Sequence, residues 1–71
     1  MNHHIQVIEI TVTGDESPTF FVDLVTLDDG DRLSYSNLRA DDNLHDARKA
    51  ARKYADSLHI PVSDLTMIWD R

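Results

Sequence analysis

One stretch of this chain has a helical hydrophobic period, and every other apolar stretch reads as a strand. From Leu44 the apolar positions run Leu44, Ala47, Ala51, Tyr54 and Leu58, at spacings of three, four, three and four. Asp42 or Asn43 can cap the start, with Asp41, Asp42 and Asp46 supplying the negative charge that a helix N-terminus favours. Four alanines and several long basic side chains favour the helical state locally. Pro61 biases Ile60 away from helix, so the helix is predicted to stop near His59. One helix covers one face of a sheet and leaves the other without a layer.

The flanking segments supply that sheet. His4–Val12 is rich in β-branched residues, with Ile8, Ile10 and Val12 on one face and Ile5 and Val7 on the other beside Glu9 and Thr11. Either a bulge shifts the phase near Val7 or both faces are partly covered. Gly14-Asp15-Glu16-Ser17-Pro18 makes a turn. Thr19–Leu27 follows, with Phe20, Val22 and Leu24 facing one way and Phe21, Val25 and Leu27 the other, interrupted by Asp23. Asp28-Asp29-Gly30-Asp31 signals a tight hairpin, and Arg32–Ser36 is a short third strand. After the helix, Ser63-Asp64 reads as a turn and Leu65–Trp69 as the last strand, with Ile68 opposing Met67 and Trp69.

The order is β-β-β-α-β over residues 1–71, a single small α+β domain. Its helix lies on one face of a four-stranded, mostly antiparallel sheet. Three antiparallel strands and a helix leave the last strand parallel to the first. A spatial order of 3-2-1-4 is preferred; pairing of the last strand with the third remains open.

Composition sharpens this picture. A chain of 71 residues buries only about 60% of its unfolded surface, and without cysteine it has neither disulfides nor a thiol nucleophile. Thirteen acidic and seven basic residues give a net charge of −6, unevenly placed. Residues 1–31 carry seven acids and no base, and residues 32–71 are close to neutral. The acidic patch is expected at Asp15, Glu16, Asp28, Asp29 and Asp31, and a basic arc on the helix at Arg48, Lys49, Arg52 and Lys53. Asp46 and Asp56 stand at the three- and four-residue spacings that pair with those bases.

Chemistry is hard to place on this chain. Gly-x-Ser-x-Gly is absent, and neither glycine sits in a phosphate-cradling loop. In Asp28–Asp31 the glycine comes third, where a calcium loop needs it sixth, and no glutamate follows at the twelfth position. His45 and His59 lie about 21 Å apart along one helix, too far to share a metal. His3 and His4 point to opposite faces of an extended chain. No enzyme activity, cofactor or metal is therefore expected. No apolar run is long enough to span a bilayer and no signal-peptide pattern opens the chain, so the cytoplasm is the expected compartment.

Two function classes follow. The first is a small acidic interaction protein, a homodimer or a subunit on a protein partner, docking through the uncovered sheet face at Phe21, Val25 and Ile68. Its acidic hairpin would steer approach. The second is related to nucleic acid: the acidic residues imitating phosphate to block a nucleic-acid-binding protein, or the basic helix arc touching phosphates weakly. A pI near 4.8 and the lack of aromatics among the bases weigh against direct nucleic-acid binding.

Overall fold

The computed structural model describes residues 4–14 and 16–66. Three long strands come first: β1 (His4–Thr13), β2 (Thr19–Asp28) and β3 (Asp31–Asp41). The helix α1 (Leu44–Leu58) and the short strand β4 (Val62–Asp64) complete the order. The sheet runs β3-β2-β1-β4, antiparallel except for β4, which lies parallel to β1. This is the α+β arrangement and the strand order read from the sequence. Among the described residues no helix is long and apolar enough to cross a membrane.

β1 and β2 pair without interruption from His4 opposite Asp28 to Thr13 opposite Thr19. No bulge shifts the phase at Val7, so β1 carries apolar residues on both faces. Ile8, Ile10 and Val12 stand opposite Leu24, Val22 and Phe20, and this set faces α1. The β2–β3 turn has φ +53° at Asp29 and +89° at Gly30, the two consecutive positive values of a type I′ hairpin.

β3 is twice as long as the sequence suggested. It gains Asn37–Asp41 because two extra residues are absorbed as bulges. Leu33 falls between the pairs Leu27–Arg32 and Thr26–Ser34, and Leu38 between Asp23–Asn37 and Val22–Arg39. Such insertions break strict alternation, which is why the alternating pattern in the sequence stops at Ser36.

The helix starts as expected, with the Asn43 side chain accepting from the Asp46 N–H at 3.1 Å. It ends at His59, which adopts a left-handed conformation (φ +57°). The Ile60 N–H then reaches back to the Ala55 carbonyl at 3.0 Å, the six-to-one bond of a Schellman turn. Its buried face is Ala47, Ala50, Ala51 and Ala55, flanked by Leu44 and Ile60. Tyr54 and Leu58, expected in the buried stripe, are instead 36% and 47% exposed. Burial follows the four-residue row Ala47–Ala51–Ala55, which drifts around the helix as it crosses a twisted sheet.

The last strand is also displaced. Val62–Asp64 pairs with Ile8–Ile10, two backbone bonds of 2.9 Å closing the ladder: Ile8 N–H to the Pro61 carbonyl and Leu65 N–H to the Ile10 carbonyl. Ser63 and Asp64 are thus strand rather than turn, and Leu65-Thr66 form the turn. The chain needs only His59, Ile60 and Pro61 to leave the helix and enter the sheet. Met67, Ile68 and Trp69 of the expected strand lie outside the described residues.

Candidate functional site

Four groups of side chains could carry function, and the fold distributes them differently from the sequence reading. The first joins α1 to the end of β4. Arg48 Nε donates to Asp64 Oδ2 at 2.8 Å and its Nη2 to Thr66 Oγ1 at 3.2 Å. Asp64 Oδ1 accepts the Thr66 N–H at 2.9 Å and also the Thr66 hydroxyl. Burial opposes the charged carboxylate. The Thr66 hydroxyl and N–H together with Arg48 outweigh it and hold Asp64 below the usual carboxylate range. Arg48 is thereby bound to Asp64 and Thr66, yet it is only half-buried and still lines one surface depression with Lys49, Arg52 and Lys53.

The second group is basic. Lys49, Arg52 and Lys53 are exposed as expected. Arg39 joins them: with Asp46, Lys49, Ala50 and Lys53 it lines a shallow depression of about 250 Å³. The bulge at Leu38 makes this possible. It places Arg39 opposite Val22, on the face that carries the helix, and the Asn37 side-chain amide holds the bulge by donating to the Arg39 carbonyl at 3.2 Å. Arg39 also contacts Asp41, with Nε 2.6 Å from Oδ2. No sequence signal pointed to Arg39, because its face depends on where the bulge falls.

The acidic residues do not form one patch. Asp28, Asp29 and Asp31 cluster at the β2–β3 hairpin, with His4 Nε2 3.6 Å from Asp28 Oδ1. Glu16 lies in the connection at the other end of β2, about 30 Å away along ten extended residues. Asp15 lies outside the described residues. The reading of a single acidic hairpin end is corrected accordingly: antiparallel pairing of β1 with β2 sends their two connections to opposite ends of the sheet.

The sheet face without a helix is less apolar than expected. Glu9 and Asp23 stand directly opposite each other in the β1–β2 register, two like charges that both require partners. Arg32 bonds Glu9 from across β2, and the Asn37 amide donates to Asp23 at 2.9 Å. The Arg32–Glu9 pair passes over β2 between Asp23 and Leu27, at the level of Val25. Val25 is fully buried and Phe21 half-buried, so of the three expected docking residues Val25 offers no surface; Ile68 lies outside the described residues. The exposed apolar groups sit at the margins: Ile5 (55%) on β1, and Leu33 (56%) and Tyr35 (70%) on β3.

Among the described residues, no three His, Cys, Asp or Glu side chains gather in a way that could hold a metal. No protein-family model, curated protein or solved structure matches the chain.

Proposed function

We propose that the protein is a small non-enzymatic interaction module that docks through the side of its sheet left uncovered by α1, at the β3 margin. One observation carries this reading. β3 is an eleven-residue strand at the edge of the sheet, exposed nearly throughout, with Leu33 and Tyr35 more than half exposed in its middle. An edge strand offers unpaired backbone donors and acceptors, and an exposed tyrosine supplies apolar area with a polar tip. The Asp28, Asp29 and Asp31 cluster at one end of this strand supports electrostatic steering of a basic surface toward it.

Sedimentation at tens to hundreds of micromolar, combined with co-purification from the source cells, tests the reading. A species heavier than the 8.1 kDa chain is expected, lost on Tyr35→Lys with the circular dichroism spectrum unchanged. A monomer without any bound partner overturns it.

A second reading, contact with nucleic-acid phosphates, draws support from Arg39 meeting Lys49 and Lys53 at one depression. It requires binding to an oligonucleotide at low salt that weakens steeply with added salt and with Arg39→Ala/Lys53→Ala. The phosphate-mimic form draws less support, since the acids stand at two ends of the sheet.

A further inference from the structure

We infer that the occupant of the β3 edge is a second copy of this chain, paired antiparallel through β3 about a two-fold axis at Tyr35. This inference deepens the interaction reading and rests on it. The argument comes from the order of residues along β3, Asp-Arg-Leu-Ser-Tyr-Ser-Asn-Leu-Arg-Ala-Asp. With Tyr35 opposite its own copy, Ser34 meets Ser36, and Asp31 meets Arg39 twice, once on each side of the axis. Shifting the centre to Ser36 instead sets Asp31 against Asp41, like charges at both ends. Centring on Ser34 leaves Arg39 beyond the end of the facing strand.

The faces agree as well. Asp31 and Arg39 stand opposite Asp28 and Val22 of β2, both on the helix side of the sheet, while Tyr35 stands opposite Val25 on the other side. An antiparallel pair shares faces residue by residue, so Asp31 and Arg39 meet on one surface and the two tyrosines on the other. The bulges would ordinarily turn such an edge away from a flat partner. Here Leu33 of one copy faces Asn37 of the other and Leu38 faces Arg32, so each strand carries one bulged residue between the Ser34–Ser36 and Asp31–Arg39 pairs and the count along the two strands stays in step. Between them Ser34–Asn37 is a regular, uncharged stretch. The pairing also answers a charge problem within the chain. Asp28 and Asp31 are opposite each other at the hairpin beside Asp29, and a guanidinium from the second copy relieves their repulsion.

Charge reversal on each strand, read by sedimentation equilibrium, tests the register. Wild-type protein is expected to give twice the 8.1 kDa chain mass at high concentration. Asp31→Arg places arginine against Arg39, and Arg39→Asp places aspartate against Asp31, so each variant alone is expected to be monomeric. Mixed in equal amounts they restore two opposite-charge pairs, and a heterodimer is expected. The chain has no cysteine, so Tyr35→Cys provides a second readout that does not need either reversal to fold. It is expected to cross-link to itself under mild oxidation, because directly opposite Cβ atoms approach to about 5 Å; Ala40→Cys is expected not to. A wild-type monomer, or a dimer indifferent to both reversals, overturns the inference. The indifferent dimer would leave the interaction reading standing on another surface. A monomer that also co-purifies with nothing would end both.

Discussion

Arg48 in the second turn of α1 and Asp64 at the end of β4 are joined by a 2.8 Å charge-assisted hydrogen bond, with Thr66 closing the group from the turn beyond. This contact ties the one parallel strand to the helix, while its backbone ladder ties it to β1. β4 has only three residues to pair with β1, so the side-chain cluster supplies anchorage that a longer ladder would otherwise give.

Asp64 therefore links stability to pH. Its folded-state pKa is depressed below the ordinary 3.8, so the folded protein binds this proton less tightly than the unfolded chain does. The contribution is fully present above that ordinary value and is lost as pH falls through the folded one. Asp64→Asn is expected to cost about 1–2 kcal/mol at neutral pH, and thermal melts of variant and wild type are expected to converge below pH 4. A constant offset between them down to pH 2 would contradict the assignment.

Arg32 is the partner of a buried carboxylate. The Glu9 side chain is 8% exposed and that of Arg32 54% exposed, so removing Arg32 strands a charge that water reaches poorly. Arg32→Ala is expected to destabilise by about 2–3 kcal/mol, and Arg32→Ala/Glu9→Gln by less than Arg32→Ala alone. Urea unfolding of the single and double variants measures the difference.

His59 occupies a left-handed position that glycine fills without strain. His59→Gly is expected to raise stability by up to about 1 kcal/mol, and Asn43→Ala at the opposite end of α1 to lower it by about 1 kcal/mol. Both are exposed, so neither change repacks the core. Thermal denaturation followed at the helical dichroism band checks both signs.

The alanine face of α1 sets how closely the helix approaches the sheet. Ala51 is fully buried against the Ile8, Ile10, Phe20 and Val22 cluster. Ala51→Leu is expected to cost about 1–3 kcal/mol by overpacking, while the same change at exposed Ser57 leaves the melting temperature nearly unchanged.

The candidate surface was legible only in part. Lys49, Arg52 and Lys53 were placed correctly because helix geometry turns spacing into direction within a few residues. Arg39 gave no signal, and the helix spacing that places Arg48 on the basic arc does not show its bond to Asp64, sixteen residues away. Val25 looked exposed because strand alternation puts it on the face without a helix. Its cover involves Arg32 on β3 reaching Glu9 on β1, a contact spanning 23 residues.

What the sequence determined by itself was local in origin. The helix between Asn43 and His59, the Asp29-Gly30 turn and the alternating faces of β1 and β2 all rest on periods, caps and backbone preferences that neighbouring residues set. Even the parallel last strand followed from counting reversals of direction. Tertiary structure decided the rest: the two bulges that lengthen β3, the turn of Arg39 onto the helix side, the shift of β4 to Val62–Asp64, and the separation of the acids to opposite ends of the sheet. Each depends on the register between segments that meet only after folding. A shift of one residue there exchanges the faces of an entire strand.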